Sequence, residues 1–397
     1  MLFRFTTRLF SHVTLVSITT LTLAACGSSK TALPTKTNSV TTETQKDHAD
    51  FAEIFRDAAV RNEIPSGLLE ALSYIETRWH PANAEENGHE DVGEDHHRHV
   101  YGIMGLHEDG PRGDNNLVKA ATLLGASTQT LKTSTRSNID GAALLLKSIA
   151  REQNVCSKNL SDWSEVVRTY TGIIDLEDSD AYLSDVFATI RSGVSENGIE
   201  IAAQPDLKMP ANRAPVRVGL SLPGDGDVSS LAVPKPPMTW APSVNFVKGG
   251  IGKPKYIVIH VTQGAFAGAV SWLRSKRSGV SAHYVVQSKD GLIKQLVKDE
   301  DRAYHARCWN SKAIGIEHEG FITRPEKYFT DAMYSSSANL VRYLTEKYSI
   351  PRTNLSIVGH NLGNSTLIKK TGLSDCNDHD DPGPGWAWPR FFSMISK

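Results

Sequence analysis

The sequence predicts two domains, a mostly helical one followed by a mixed α/β one, joined by an irregular connection. Three observations predict this. Apolar residues recur at helical spacing early in the chain, at Phe51, Ile54, Phe55, Ala58 and Ala59 and again at Leu68, Leu69, Leu72, Ile75 and Trp79. Pro205, Pro210, Pro215, Pro223, Pro234, Pro236, Pro237 and Pro242 then exclude long helices. Beyond them, short apolar runs such as Tyr256–Val261 alternate with longer amphipathic stretches. A chain of 397 residues with 40% hydrophobic residues can fill two cores, and a net charge of −1 gives no reason to expect a nucleic-acid partner.

The first segment, residues 1–25, reads as a targeting sequence. Arg4 and Arg8 supply a basic start, Val13–Ala25 is apolar but short for a membrane span, and small residues precede Cys26. Residues 26–46 are rich in Ser, Thr and Lys and read as a flexible tether. Residues 47–195 form the helical domain, with further helical patterns over Ala142–Ile149 and Trp163–Tyr170. Residues 196–239 read as a linker, packing onto the second domain from about Trp240.

Within 240–397, Lys255–Val261 predicts a buried strand and Ala265–Arg274 a helix. Ala282–Gln287 and Leu292–Val297 flank a turn containing Gly291 and predict a hairpin. Ala313–Glu317 predicts a strand, Thr330–Tyr348 a long helix and Leu355–Val358 a strand leading into His360. Two of these runs end in imidazoles, His260 and His360, and Asp381 opens a Gly/Pro turn with His379 just before it. Two His and one carboxylate leave a fourth position open, the ligand set of a catalytic rather than a structural zinc site. The tract from Glu85 to His99 is also rich in acids and His, but its irregular spacing favours a solvated loop over a metal site.

These residues resemble the type 2 N-acetylmuramoyl-L-alanine amidases, a family that includes peptidoglycan recognition proteins. The resemblance spans about 240–397 and rests on motifs in order: Ile259-His260-Val261-Thr262, Ser281-Ala282-His283-Tyr284 with Asp290-Gly291, Ala303-Tyr304-His305-Ala306, Ile314-Gly315-Ile316-Glu317, Val358-Gly359-His360 and Asp381-Pro382-Gly383-Pro384. It implies zinc held by His260, His360 and Asp381, with Glu317 as the catalytic acid–base. His379, where many members have Lys, is implied to stabilise the oxyanion. It places His283, Tyr284, His305 and Asn310 on the substrate side, although His283 and His305 also read as packed or second-sphere residues. Glu319 reads as a neighbour of the site, and Cys376 as a rival ligand that fits the motif less well than Asp381. Cys308 and Cys376 flank site residues and are the favoured disulfide pair, with free thiols the alternative and Cys156 left over.

The helical domain resembles the lytic transglycosylases of the lysozyme-like fold. Glu76-Thr77-Arg78-Trp79-His80-Pro81, Tyr101-Gly102-Ile103-Met104-Gly105-Leu106 and Tyr170-Thr171-Gly172 carry that resemblance over about 50–195. It implies Glu76 as a single acid–base for glycan cleavage, its pKa raised beside Tyr74 and Trp79. Three positions depart from the pattern: Thr77 for Ser, Gly105 for a supporting Gln and Thr171 for Asn. A domain that only holds the glycan, or only packs, therefore stands beside a cutting one. Leu23-Ala24-Ala25-Cys26 resembles the bacterial lipobox, implying lipidation of Cys26, and Gly27 in place of Asp implies the outer membrane, facing the periplasm. An exported, lipid-anchored peptidoglycan hydrolase is the expectation. A non-catalytic recognition protein, or an endopeptidase using the same site, is the alternative.

Overall fold

The computed structural model describes residues 47–82, 99–108, 115–196, 198–213, 233–361 and 379–397. The segment with Cys26 and the tether, most of the His-rich tract, much of the proline-rich connection and Cys376 lie outside the described residues.

The helical half opens with α1 (Asp47–Asn62) and α2 (Leu68–Thr77). A two-stranded ladder, β1 (Val100–Tyr101) and β2 (Leu106–His107), carries the Tyr101–Leu106 motif. Then come α3 (Asn116–Leu124), α4 (Thr128–Thr133), α5 (Thr135–Glu152), α6 (Ser164–Thr171) and α7 (Leu176–Ser192). Ser or Asx side chains start several of them: Asn115, Ser127, Ser134 and Asp175 each accept a backbone N–H from the first turn. The apolar stripes read from the sequence converge on one core around Phe55, Leu68, Leu72, Leu146, Val166 and Phe187. Asn138, fully buried on α5, accepts from Met104 N and donates to the carbonyls of Tyr101 and Leu131, so the β1–β2 motif is fixed by one amide.

The helical half does not stop at residue 195. An antiparallel hairpin, β3 (Val194–Glu196) and β4 (Ile199–Ile201), follows α7, and Ile199 and Ile201 are buried in the helical core. The connection therefore starts later than the proline pattern indicates, because alternating apolar residues around a Gly turn found a core to pack against.

The second half is a mixed six-stranded sheet. Its strands are β5 (Thr239–Trp240), β7 (Tyr256–Val261), β8 (Tyr284–Val286), β9 (Ile293–Gln295), β11 (Ala313–His318) and β12 (Ile357–Gly359), in the order β12-β7-β11-β8-β9-β5. A separate ladder pairs β6 (Phe246–Val247) with β10 (Arg302–Ala303). The central strands β12, β7, β11 and β8 run parallel, while β8 and β9 form the antiparallel hairpin. Helices α8 (Phe266–Arg274), α9 (Pro325–Tyr328), α10 (Asp331–Tyr348) and α11 (Trp388–Ile395) flank the sheet.

Strand alternation sorts the faces. Ile257, Ile259, Ile314, Ile316 and Ile357 pack with α10 and α11, in a core that includes Met333, Leu340, Leu344 and Phe391. Val258, Ala313 and Val358 point the other way, onto Ala306 and Trp309. The period of two then puts His260, Glu317 and His360 on that second face, at the C-terminal ends of three adjacent parallel strands, and the register pairs Glu317 directly with His260.

The two halves are packed together. Asp178 and Asp175 at the start of α7 receive Arg274 of α8 at 2.5 and 3.0 Å, and Asp178 also receives Lys294 of β9 at 2.6 Å. Ala82 and Val100 share a small cluster with Phe321 and Tyr328, and Arg324 donates to the Pro81 carbonyl at 2.9 Å.

Candidate metal centre

Three side chains from separate parts of the second half meet. His260 comes from β7, His360 from the residue after β12, and Asp381 from the turn that precedes α11. One ligand atom from each lies within 4.8 Å of the others, and all three residues are buried. Asp381 bridges the imidazoles. Its Oδ1 is 3.0 Å from His360 Nδ1 and its Oδ2 is 3.3 Å from His260 Nδ1. The backbone fixes the carboxylate, since Val261 N donates to Oδ2 at 3.2 Å and Asn361 N donates to the Asp381 carbonyl at 2.8 Å.

The electrostatics follow from burial among few charges. Burial disfavours the ionised form of Asp381, but the neighbouring His360 and His260 outweigh it and hold the carboxyl well below its usual range. Burial pushes His360 down to about 3, so its imidazole is neutral. At His260 burial is outweighed by the hydrogen bond to Asp381 and the charge of Glu317, and the pKa is raised.

Glu317 stands beside this cluster with neither carboxylate oxygen hydrogen-bonded. Burial raises its pKa to about 8, against the pull of His260. A buried carboxyl with its pKa shifted up, beside a cluster of candidate ligands, is a candidate acid–base group. His379, half-buried, stacks on the His360 ring with centroids 4.0 Å apart and planes at 16°.

The residues expected on the substrate side or in the second sphere make the following contacts. His283 is fully buried, with Nδ1 accepting from Gly315 N and Nε2 against the Asp301 carbonyl, both at 3.0 Å. Burial lowers its pKa to about 4, so it is a neutral strut between β8 and β11. Tyr284 points to the α10 side of the sheet, where its hydroxyl donates to Asp299. Asn310 accepts the N–H groups of His305 and Ala306 at 2.9 and 2.7 Å and so braces the turn. His305 lies against the site, but behind His260: its Nδ1 is 3.0 Å from His260 Nε2. The packed or second-sphere reading of His283 and His305 describes where these two rings sit, since strand and turn residues adjacent to a motif alternate into the core.

Glu319 is a clamp rather than a base. It accepts from Phe266 N at 3.2 Å and Ser288 N at 2.8 Å, tying the end of β11 to α8 and the hairpin. His318 was not singled out from the sequence. Its Nδ1 meets the His260 carbonyl at 2.9 Å and its Nε2 meets Ser337 Oγ at 2.8 Å, joining β7, β11 and α10. Cys156 and Cys308 are each disulfide-bonded and no described cysteine is free, while Cys376 lies outside the described residues.

Glu76 does not join this cluster. It ends α2 in the helical half, buried, with Oε1 accepting from Tyr182 OH at 2.8 Å. Gly105 accounts for one departure from the transglycosylase pattern: its φ is +59°, and a Cβ there would lie 2.7 Å from Glu76 Cβ. A Gln at this position has no room on this backbone.

Residues 251–384 match the protein family described as N-acetylmuramoyl-L-alanine amidase. This region of the chain is an N-acetylmuramoyl-L-alanine amidase domain. The match includes all three clustered ligands and Glu317, and leaves the helical half outside it. Over 146 residues, the amidase domain region is 28% identical to N-acetylmuramoyl-L-alanine amidase A of Achromobacter lyticus, covering 35% of this chain and 82% of that protein. It is 35% identical over 127 residues to the 1,6-anhydro-N-acetylmuramyl-L-alanine amidase AmpD of Escherichia coli K12, covering 30% of this chain and 60% of that relative. Among solved structures, an endolysin N-acetylmuramoyl-L-alanine amidase from Clostridium intestinale aligns at 21% identity with a TM-score of 0.32, covering 41% of this chain and 98% of that one. The Staphylococcus aureus hydrolase AmiA aligns at 14% identity and a TM-score of 0.34, covering 41% and 82%.

Proposed function

We propose that the amidase domain hydrolyses the amide between N-acetylmuramic acid and L-alanine in peptidoglycan, with zinc held by His260, His360 and Asp381. The donor set fits that ion. Two nitrogen ligands and one carboxylate favour zinc over magnesium or calcium, and three protein ligands leave a coordination position for chemistry. Zinc bound there supplies Lewis acidity toward the amide carbonyl and toward water.

The chain's own groups do the rest. Glu317, with no competing hydrogen bond and its carboxylate favoured by a nearby cation, would accept a proton from the attacking water and deliver it to the departing amine. His379, stacked on His360, is positioned to donate a hydrogen bond to the carbonyl oxygen as charge builds there. The observation that carries the reading is this pairing of a buried three-ligand cluster with a hydrogen-bond-free glutamate on the same sheet face. A non-catalytic recognition protein has no use for a carboxyl kept in that state.

The helical half is assigned to the glycan strand, with a lysozyme-like fold and Glu76 as its candidate acid. A cavity of about 370 Å³ between the halves, lined by Tyr74, Arg78, Tyr182, Asp185, Gln287 and Lys289, supports a binding role. Lipidation at Cys26 and attachment to the outer membrane, facing the periplasm, complete the proposal and keep the enzyme beside its polymer.

Mass spectrometry of products from purified sacculi, digested by the chain from Lys46 onward with zinc, tests it. Free stem peptides beginning with L-alanine are expected. Anhydro-sugar ends that vanish in Glu76→Gln would add a transglycosylase, and their absence would leave the helical half a binding module. Zinc uptake without any stem release would overturn the amidase assignment.

A further inference from the structure

We propose that the cavity between the halves is a second ligand site, in which Arg78 anchors the free carboxylate of an N-acetylmuramic acid residue whose stem peptide has been removed. The inference rests on the amidase reading above. Hydrolysis of that amide adds water across the bond and leaves a lactyl carboxylate on the sugar and an amine on the departing stem.

The turn that carries Arg78 is unusual. Arg78 caps α2 in the left-handed region at φ 52°, and Trp79 follows at φ 60°, so two successive side-chain-bearing residues hold a conformation that favours glycine. The guanidinium lies between the halves, 4.7 Å from the Tyr74 ring centroid and 5.5 Å from that of Tyr328. Its Nη1 donates to the carbonyls of Tyr74 at 2.7 Å and Ile75 at 3.5 Å. Among the described residues nothing accepts from Nε or Nη2, and neither atom is sealed from open space. The open space that Arg78 borders is the cavity. A guanidinium edge with two parallel N–H groups matches the two oxygens of a carboxylate.

The acids of the lining are otherwise engaged. Glu319 spends its two oxygens on Phe266 N and Ser288 N. Asp185 accepts from Lys289 at 3.1 Å and from Gln287 at 3.4 Å. Lys327, also in the lining, pairs with Glu196. Three cations, Arg78, Lys289 and Lys327, thus face two lining acids, and an entering anion meets a wall of net positive charge. At about 370 Å³ the cavity stands at the small end of ligand pockets, with room for a sugar and its acid rather than a long strand. Tyr182 forms part of the wall and donates to Glu76 at 2.8 Å, so the candidate acid of the helical half stands one hydrogen bond behind it. A site keyed to the carboxylate selects glycan that the amidase half has already stripped, and brings it beside Glu76.

NMR titration of the zinc-free full chain at pH 7 compares N-acetylmuramic acid with its methyl ester and with N-acetylglucosamine, which lacks the lactyl group. The acid is expected to bind, and both neutral sugars to bind about tenfold more weakly or worse. Arg78→Met removes the fork and should bring the acid down to the level of the ester. Arg78→Lys keeps the charge without the paired N–H edge and should recover only part of the difference. Ala188→Leu, which intrudes on the cavity from α7, should weaken the acid as well. No binding of the acid, or equal binding of acid and ester, overturns the proposal, as does undiminished binding by a folded Arg78→Met. Uptake that appears only once zinc is added places the acid at the metal centre and overturns it too. A free stem tripeptide that binds in place of the sugar, with the same dependence on Arg78, has the same consequence. If Arg78→Met does not fold, the acid–ester comparison and Ala188→Leu decide. If sacculi release no stem peptide, the amidase reading fails on its own, and the preference of the cavity for the acid is still read from the titration.

Discussion

Replacing Glu317 with Gln separates the demands of catalysis from those of folding. In the zinc-free protein the Glu317 pKa is raised from 4.5 to about 8, because burial penalises the carboxylate more than His260 helps it. The native state therefore binds more protons than the unfolded chain between those two values, and stability falls as pH rises across the window. Each unit is worth about 1.4 kcal/mol, so the full shift amounts to about 5 kcal/mol of stability lost by pH 9, with about 1 kcal/mol already lost at pH 5. Gln cannot ionise and, like the protonated acid, leaves its polar atoms without partners, so the cost of burial nearly cancels. The depressed His283, His318 and His360 are common to both proteins and drop out of the comparison. Urea unfolding in excess chelator, repeated from pH 4 to 9, should show the two proteins nearly alike at pH 4 and the variant increasingly more stable as pH rises, by about 2 kcal/mol at pH 6. Saturating zinc should narrow the gap, since a nearby cation favours the carboxylate. Amidase activity of the zinc-loaded variant should fall by about 10²- to 10⁴-fold. Parallel stability curves for the two proteins would refute the reasoning, whatever the activity does.

Asp178→Ala strands the Lys294 ammonium, which is 5% exposed and keeps only Glu177 at 3.9 Å. A cost of about 3–5 kcal/mol is expected in urea unfolding, and Asp178→Ala with Lys294→Met should recover most of it, since an apolar pair tolerates that burial. Gly105→Ala puts a methyl against Glu76 and forces a left-handed φ, so a loss of roughly 1–3 kcal/mol in the thermal melt is expected, with zinc affinity by chelator competition unchanged.

The ligand set was legible because its geometry is simple. His260 and His360 end apolar strands, and a period of two carries them to the same face as Glu317. Asp381 was legible from its turn. His283 and Tyr284, adjacent in sequence, fall on opposite faces of the sheet, and here both faces are covered. Asn197-Gly198 is a strong hairpin turn signal between β3 and β4, but it stands at the head of a proline-rich stretch whose composition points to a linker. A glycine inside an otherwise apolar strand, Gly315, was the available hint that something approaches that strand closely. The pairing of Asp178 with Lys294 spans 116 positions and leaves no local trace in the sequence.

The helical half is bound up with the amidase geometry whether or not it cuts glycan. The segment that resembles a transglycosylase motif is also a docking surface. The Arg78 guanidinium lies over Tyr74 at 4.7 Å and over Tyr328 of the amidase half at 5.5 Å. The Pro81 carbonyl receives Arg324, and Ala82 packs with Phe321 and Tyr328. These contacts fall on the chain just past the strand that presents Glu317. Glu319, two residues further, is the clamp holding α8 and the hairpin to that strand; burial raises its pKa and the charge of Arg78 works against the rise. A cation from the first half thus supports the ionised state of a carboxyl that the second half needs as an acceptor of two backbone N–H groups. The end of the strand that carries Glu317 is thus held by the sheet on one side and, through Glu319, by the Arg78 interface on the other, so replacing Arg78 bears on both halves.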